Sequence, residues 1–250
     1  MTIPEIAQSL HLCVIIPTYN NKETILRVIQ DVYDYCHDIF VVCDGPTDGT
    51  RELVEACTTP IRVVAYSPNQ GKGTALVTGF KTALRQGFHY AITLDSDGQH
   101  YASDIPAFIE KISLEPDALL IGSRGFNHDN MPQKNTFANK FSNFWFTVQT
   151  GRKLPDTQTG FRLYPLKKMG SMRLVTSRYE AELELLVRSA WRNINIIPLP
   201  IKVYYPPASE RVTFFRPAKD FTRISLLNTI FCFAAILYGY PSMFLRKLFK

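Results

Sequence analysis

The 250-residue sequence predicts an α/β fold, with a mostly parallel central sheet covered by helices on both faces. Short apolar runs alternate with stretches of helical periodicity over residues 1–125. Polar clusters follow several runs directly, and parallel sheets bind ligands at the carboxyl ends of their strands. Hydrophobic residues make up 46% of the chain and charged residues 20%, which excludes a mainly disordered, collagen-like or coiled-coil protein.

The elements follow in order along the chain. Continuous apolar runs predict buried strands over 12–17, 39–43, 61–66, 90–94 and 118–122. Apolar residues at helical spacing predict helices over 25–36, 50–57, 73–86 and 103–113. Beyond residue 125 the pattern predicts a polar loop at 127–134, helices at 136–149 and 177–192, and a strand at 194–203. Pro198 and Pro200 assign that strand to a sheet edge, because proline donates no hydrogen bond to a neighbouring strand.

Charge is unevenly distributed in a chain whose formal net charge is +6. Residues 1–150 hold 11 Lys and Arg against 16 Asp and Glu, a charge of −5, and residues 151–250 hold 17 against 6, a charge of +11. A basic C-terminal part suits an anionic membrane, a phosphorylated ligand or nucleic acid, but the sequence contains no recognisable nucleic-acid-binding module.

Cysteine usage and the N-terminus indicate a cytoplasmic catalytic part. The five cysteines have no CxxC spacing and do not cluster with histidines, which predicts buried reduced thiols and no zinc site. Residues 1–10 contain no basic region of the kind that opens a signal peptide.

The strongest local motif is the pair Asp95 and Asp97, which follows the predicted strand 90–94, with Gln99 and His100 just beyond. Two carboxylates on a tight turn can face one hard cation, and Mg²⁺ prefers one or two carboxylates together with water and substrate phosphates. A turn with solvated aspartates gives the same pattern, so both interpretations stay open on these residues alone.

Two further clusters follow predicted strands. Residues 44–50 suit either a tight turn or a carboxylate, Asp44, that accepts hydrogen bonds from a nucleobase, with Thr50 capping the next helix. Residues 69–73 place glycines before a helix, where a phosphate or a sugar can approach backbone N–H groups. The absence of GxxxxGK[ST] and GxGxxG argues against a P-loop protein and against a dinucleotide-binding oxidoreductase.

The remaining polar features lie later in the chain. Arg124 follows a predicted strand and suits either a phosphate contact or a surface salt bridge. Residues 156–162 form a dense polar loop. Glu180 and Glu182 open a helix, where carboxylates also complement the helix dipole. No Ser-His-Asp or Cys-His grouping is evident from the order of these residues.

Taken in order, these motifs closely resemble family 2 glycosyltransferases of the GT-A fold. The matching segments, which span roughly residues 12–205, are 16–20, 44–50, 69–73, 95–100, 122–124 and 156–162. The segments DSDGQH and DTQTGFR are most similar to the polyprenyl (dolichyl)-phosphate hexose synthase branch. Cys43 stands where the family usually has an acid and Asn21 where it has Glu, which leaves the nucleotide base, uracil or guanine, open.

The resemblance implies a role for each matching position. Binding of the nucleotide sugar is implied for Pro17, Tyr19, Asn20, Asp44, Asn69, Lys72, Asp95 and Ser96. Binding of Mg²⁺ or Mn²⁺ is implied for Asp95, Asp97 and Gln99. Catalysis is implied for Asp95, Asp97, Arg124, Asp156 and Gln158, and contact with an acceptor phosphate for Arg124, Arg211 and Arg216.

The implied reaction is an inverting transfer of a hexose from a GDP- or UDP-linked donor. A polyprenyl phosphate acceptor is already anionic near pH 7, because the second pKa of a phosphate monoester is about 6, and it requires no protein base. A hydroxyl of a glycolipid or polysaccharide requires one, for which Asp156, Glu180 and Glu182 are candidates. Two less favoured hypotheses are a nucleotide-sugar-binding protein without turnover and a nucleotidyltransferase.

The chain is expected to divide into a catalytic domain, 1–205, and a basic linker with an apolar membrane-associating helix, 206–250. No charged residue occurs over 224–245, between Arg223 and Arg246. The run contains Asn228, Gly239 and Pro241, and its dense apolar part ends near Tyr240, which makes it marginal for spanning a bilayer. Interfacial attachment, a single span and packing on protein therefore stay open. We expect a peripheral or monotopic protein at the cytoplasmic face of a membrane. We also expect removal of 221–250 to release it while leaving nucleotide binding largely intact.

Overall fold

The computed structural model describes residues 1–125, 133–170, 174–205 and 217–248. Within these residues seven strands form one sheet: β1 Leu12–Thr18, β2 Ile39–Asp44, β3 Arg62–Tyr66, β4 Tyr90–Thr93, β5 Leu119–Arg124, β6 Arg162–Pro165 and β7 Ile196–Ile201. The described helices are α1 Ile3–Ser9, α2 Ile25–Tyr33, α3 Thr50–Glu55, α4 Lys72–Arg85, α5 Ile105–Leu114, α6 Gln133–Thr150, α7 Leu166–Met169, α8 Glu180–Trp191, α9 Pro217–Ala234 and α10 Tyr240–Leu248.

The order of strands decides where the loops meet. The sheet runs β3-β2-β1-β4-β6-β5-β7, with β7 at one edge as expected. Neighbouring strands are parallel except at β6, which is antiparallel to both β4 and β5. An antiparallel strand begins at the end of the sheet where its neighbours have their carboxyl ends. We call this end of the sheet its carboxyl edge. The loop that precedes β6 therefore reaches the same edge as the loops that follow β1, β2, β4 and β5.

Both faces of the sheet are covered, as predicted. Strand β1 is buried at every position because it lies inside the sheet, and its side chains alternate between two cores. Val14 belongs to the core that contains the buried residues of α2 and α5, and Ile15 belongs to the core that contains those of α4 and α8. Each large apolar side chain buried in this way stabilises the fold by about 1.5–3 kcal/mol.

Some elements differ from the prediction. Helix α1 and strand β6 were not predicted, and β6 was missed because it has only four residues and begins with Arg162 in place of an apolar run. Thr50 does not cap α3: it is the first helical residue, and the Asp48 carboxylate accepts its backbone N–H at 3.0 Å. Helix α6 begins at Gln133, inside the predicted loop, and the rest of that loop from residue 127 lies outside the described residues.

The C-terminal segment, Thr222–Leu248, is continuous helix with one π-helical turn at Ala235–Gly239. It is long and apolar enough to cross a membrane by length and composition. One side of it packs on α6 and α8, however, through the buried residues Leu227, Phe231, Ala235 and Met243. Deletion of 221–250 would expose this core, so we expect it to lower the free energy of unfolding as well, and the survival of nucleotide binding after truncation stays a prediction.

Gly239 lies directly against Trp191 of α8. A Cβ added there would overlap the Trp191 indole, whose N–H donates to the carbonyl of Gln149 at 2.8 Å. We expect Gly239→Ala to lower the free energy of unfolding by about 1–3 kcal/mol, because the indole or the helix must shift. Urea denaturation measures the loss, with Leu237→Ala on the exposed side as the control, at less than about 0.5 kcal/mol. An unchanged midpoint for Gly239→Ala would contradict the close packing.

Candidate active site

Lys72 forms ion pairs with two carboxylates, those of Asp95 and Glu182, at the carboxyl edge of the sheet. Its Nζ lies 2.6 Å from Oδ1 of Asp95, in the loop after β4, and 3.0 Å from Oε2 of Glu182, on α8. Burial lowers the pKa of Lys72, but the two carboxylates outweigh it and raise that pKa above its ordinary value. Burial likewise raises the pKa of Asp95, and Lys72 outweighs it, so the carboxylate stays ionised.

The pKa of Asp97 is raised whereas that of Asp95 is lowered, although only Ser96 separates the two residues. Burial and the nearby charge of Asp95 raise the pKa of Asp97 to about 6. One of its oxygens accepts the backbone N–H of Gln99 at 3.0 Å. Burial lowers the pKa of His100 to about 4, so this ring is neutral at pH 7, with Nε2 at 3.9 Å from Asp95 Oδ2. The turn therefore holds one satisfied carboxylate and one carboxylate short of positive charge.

The donor set suits Mg²⁺ or Mn²⁺ only with help from a substrate. Among the described residues, no group of three or more His, Cys, Asp and Glu side chains could hold a metal ion. Asp95 and Asp97 are hard oxygen donors, and the raised pKa of Asp97 indicates a site where a cation is favoured. Mg²⁺ commonly takes one or two carboxylates and completes its shell with water and phosphate oxygens. The residues present thus fit a cation that arrives with a diphosphate.

The pKa of Asp97 predicts an unusual pH dependence of stability. Its folded pKa, about 6, lies above the ordinary value of 3.8, so the folded state binds the proton more tightly. The free energy of unfolding should therefore rise as pH falls from about 6 to about 4, by roughly 2 kcal/mol from this group. In the Asp97→Asn variant this pH-dependent contribution to the free energy of unfolding disappears, and we expect the variant to be more stable than wild type at pH 7. Urea denaturation at several pH values without metal measures the difference from wild type, and identical profiles would contradict the raised pKa.

The predicted donor-side residues Asp44 and Asn69 lie together. Asp44, at the end of β2, is buried and accepts hydrogen bonds from Nδ2 of Asn69 at 2.8 Å and from the backbone N–H groups of Gln70 at 2.7 Å and Gly71 at 2.8 Å. These bonds tie the loop before α4 to the end of β2. Asp44 therefore fixes the backbone that precedes Lys72, and its contact with a nucleobase remains a prediction.

The loop after β1 is tied to the Asp95 turn through a residue whose role was missed. Asn21 donates from Nδ2 to Oγ of Ser96 at 2.9 Å, and Thr24 donates to the carbonyl of Ser96 at 2.6 Å. Asn20, with a positive φ of 53°, accepts the N–H of Thr47 at 2.7 Å. Pro17 lies within β1 and Tyr19 just beyond it, so all the predicted donor-side residues follow or end strands at one edge.

Arg124 and Asp156 form a two-pronged ion pair at the same edge. Nε and Nη2 of Arg124 donate to the two oxygens of Asp156 at 2.6 and 3.0 Å, and Asp156 also accepts the N–H groups of Arg124 and Gln158. Asp156 is fully buried, and although burial raises its pKa, Arg124 outweighs this and holds the pKa below its ordinary range. This arrangement excludes the alternative of an ordinary surface salt bridge for Arg124.

Asn143 and Arg162 support this loop, and no sequence motif predicted their roles. Asn143 accepts the N–H of Thr157 at 3.0 Å and donates to the carbonyl of Pro155 at 2.8 Å. The guanidinium of Arg162 is completely buried and donates to the carbonyls of Thr157, Thr159 and Glu182. The backbone between Asp156 and β6 is therefore fixed from two sides.

Gly160 brings the two halves of the site together. A Cβ at this position would lie 2.6 Å from Oδ2 of Asp95, so only glycine lets the loop before β6 approach the Asp95 turn. Gln158 stands beyond the ion pair, exposed, with Nε2 at 3.3 Å from the carbonyl of Ala138. Arg211 and Arg216, predicted phosphate contacts, lie outside the described residues.

The catalytic alternatives for Asp156, Glu180 and Glu182 separate on geometry. Asp156 is committed to Arg124, and Glu182 is paired with Lys72. Glu180 is buried, and its Oε2 has no hydrogen-bond partner within the described ranges. The edge thus presents a carboxylate turn on one side and a fixed arginine on the other, an arrangement suited to two phosphate-bearing ligands.

Comparisons with known proteins show which proteins this chain is similar to. Residues 13–169 match the sequence model of Glycosyl transferase family 2. UDP-N-acetylglucosamine–dolichyl-phosphate N-acetylglucosaminyltransferase of Methanococcus voltae is 30% identical over 212 residues, covering 76% of this chain and 84% of the relative. Polyprenol monophosphomannose synthase of Mycolicibacterium smegmatis is 28% identical over 200 residues, covering 75% of each.

Solved structures show the same fold. Glucosyl-3-phosphoglycerate synthase from Mycobacterium tuberculosis, in complex with Mn²⁺, UDP and glucosyl-3-phosphoglycerate, aligns with a TM-score of 0.66 at 16% identity. The alignment covers 93% of this chain and 82% of the other. At this identity the likeness is one of fold, and the fold is the one that the ordered motifs implied.

Proposed function

The chain belongs to glycosyl transferase family 2, and we propose that it transfers a hexose from a GDP- or UDP-linked sugar to a polyprenyl phosphate of the dolichyl type at the cytoplasmic face of a membrane. Relatives named as dolichyl-phosphate and polyprenol-phosphate transferases confirm the resemblance to that branch. The named relatives use more than one sugar, so the donor is proposed as a class.

The observation that carries the proposal is the state of Asp156. A hydroxyl acceptor needs a base that takes its proton. The Asp156 carboxylate is fully buried, and both of its oxygens already accept hydrogen bonds from Arg124 and from the backbone of Gln158. A phosphate monoester needs no such base, because it is already anionic at pH 7. Arg124 offers it a fixed guanidinium. Glu182 is likewise paired, with Lys72, so Glu180 is the candidate base that keeps an oxygen without a partner among the described residues. We favour a phosphate acceptor because it uses Arg124 and requires no base.

In the proposed reaction, an oxygen of the acceptor phosphate attacks the anomeric carbon of the sugar. The bond from that carbon to the nucleoside diphosphate breaks, and the diphosphate leaves with the electron pair, so the configuration inverts. Lys72 adds positive charge beside the leaving group, and Arg124 orients the acceptor. Bound Mg²⁺ or Mn²⁺, held by Asp95 and Asp97 with Gln99 nearby, would neutralise the charge that develops on the diphosphate.

Other residues keep their proposed roles around this centre. Pro17, Tyr19, Asn20, Asp44, Asn69 and Ser96 line the donor side. Gln158 stands near the sugar, and Arg211 and Arg216 hold the acceptor phosphate. The C-terminal segment attaches the protein to the membrane.

A donor screen tests the proposal. UDP- and GDP-linked hexoses, including UDP-N-acetylglucosamine, are incubated with the full chain and Mn²⁺, with and without polyprenyl phosphate. We expect release of one nucleoside diphosphate that depends on the lipid, and a product cleaved by mild acid. A product that resists mild acid would favour a glycolipid or polysaccharide hydroxyl as acceptor. Tight binding of a nucleotide sugar without any product would favour a binding protein.

A further inference from the structure

The C-terminal segment has two unlike sides. The side opposite its buried contacts carries apolar residues spaced by three, four or seven positions, each more than half exposed: Leu226, Ile230, Phe233, Leu237, Phe244 and Leu248. This spacing aligns them in one stripe along the helix. Between positions 222 and 248 the sequence contains no Asp or Glu.

Helix α6 extends this stripe. Phe144 and Val148 lie one turn apart on α6 and are exposed, and the Tyr240 hydroxyl donates to the carbonyl of Val148 at 2.6 Å, so the two exposed sides adjoin. We name these two residues and the six of the stripe the apolar face. Single exposed apolar residues are ordinary, but exposed apolar residues that adjoin one another along two helices indicate a binding surface.

We infer that a lipid bilayer covers the apolar face and that the C-terminal segment lies along the bilayer surface without crossing it. The inference deepens the proposed function, on which it rests for the identity of the lipid substrate. Cations stand at both ends of the segment, Arg223 at one and Arg246 and Lys247 at the other, all exposed. They suit anionic headgroups, whereas a second copy of this chain would bring like charges together.

Polar contacts on the buried side favour a helix that stays on the protein over one that crosses the bilayer. Asn228 accepts a hydrogen bond from Nε2 of Gln149 at 2.9 Å, and Ser242 donates to the carbonyl of Trp191 at 3.2 Å. Asn193 donates to the carbonyl of Met243 at 3.0 Å. A helix that left the protein to cross a bilayer would lose these contacts, and the Asn228 side chain would then lie in the bilayer without its Gln149 partner. An interfacial helix keeps them, because its polar side stays on the protein.

Helix α6 also connects the apolar face to the proposed acceptor site. Asn143, which holds Pro155 and Thr157, directly precedes Phe144 of the apolar face. One helix thus touches the bilayer and fixes the loop whose Asp156 orients Arg124.

Flotation of the purified full chain with vesicles of phosphatidylglycerol and phosphatidylcholine tests the surface. Neither donor nor polyprenyl phosphate is present, so the result is independent of transfer activity. We expect Leu237→Glu and Phe144→Glu each to weaken partitioning roughly tenfold or more, because a charge replaces a lipid-facing side chain. Leu114→Glu, at the exposed end of α5, is the matched control and should bind like wild type. Thermal denaturation checks that each variant is folded, and Leu237→Ser should act in the same direction with a smaller effect.

Two further measurements separate the other occupants. An epitope tag appended after Lys250 should be removed by protease added to the side of the membrane that carries the catalytic domain. A fully protected tag would overturn the orientation along the surface and indicate a span. Sedimentation that shows a stable dimer broken by Phe144→Glu, together with no vesicle binding, would overturn the bilayer as occupant and assign the face to a second copy.

Discussion

Asp97→Asn is expected to lower kcat about a hundred- to a thousandfold while making the protein more stable at pH 7. The loss follows because the leaving diphosphate would lack one of the two carboxylates that fit its cation. The gain in stability follows because the pKa of Asp97, about 6, shows that its charge is unfavourable in the folded protein. A merely structural carboxylate would move activity and stability in the same direction.

Chelation and a surface control complete this test. Removal of divalent cations should lower wild-type activity by a similar factor and should change Asp97→Asn little further. Asp117→Asn removes a surface carboxylate that is 73% exposed, and it should leave both quantities unchanged. Wild-type activity that survives chelation, combined with an active Asp97→Asn variant, would contradict the metal site.

Arg124→Lys should lower kcat/KM for the acceptor about a hundredfold and leave the KM of the donor nearly unchanged. Lysine keeps the positive charge but cannot form the bidentate contact with Asp156. The orientation of the cation at this position is then no longer fixed. Arg124→Ala is less informative, because it leaves the buried charge of Asp156 unpaired at a cost of about 3–5 kcal/mol. Steady-state kinetics with each substrate varied in turn separates the two effects.

The surface pair Arg51 and Glu55 provides the matched control for Arg124→Lys. Its Nε–Oε1 distance of 2.7 Å is close to that of the buried pair, but both side chains are nearly half exposed. Arg51→Lys should therefore change neither activity nor, by more than about 0.5 kcal/mol, the free energy of unfolding. A donor KM that rises as much as the acceptor KM in Arg124→Lys would contradict the assignment of Arg124 to the acceptor.

The sequence predicted the parts of the fold that depend on local pattern. The strands β1 and β2 and the helix α4 were found because their apolar residues follow the spacing of buried strands and helices. Strand β6 was missed because it is short and begins with Arg162, whose burial depends on carbonyls from the loop before β6 and from α8. A local sequence pattern cannot predict that the Arg162 guanidinium is buried, because one of the carbonyls that accept its hydrogen bonds, that of Glu182, lies 20 residues away in the chain.

The candidate site divides in the same way. Asp95 and Asp97 stood out because two carboxylates directly follow an apolar run. The contacts that fix their surroundings, Lys72 to Glu182 and Asn143 to the loop before β6, join residues far apart in the chain, so no local motif predicts which partners they take. Asn21 was noticed only as a departure from the resemblance, although it binds the Asp95 turn through Ser96.

The position of β6 between β4 and β5 has a consequence for synthesis. A chain emerges from the ribosome N-terminus first, so β1–β4 and the Asp95 turn exist before β6 and α8 have been made. Pairings between distant segments form slowly, because the intervening chain must first be ordered. The turn lacks the approach of Gly160 and the ion pair from Lys72 to Glu182 until residue 182 has emerged. The surroundings of Asp95 are therefore complete only after Glu182, 87 residues later in the chain, has been synthesised.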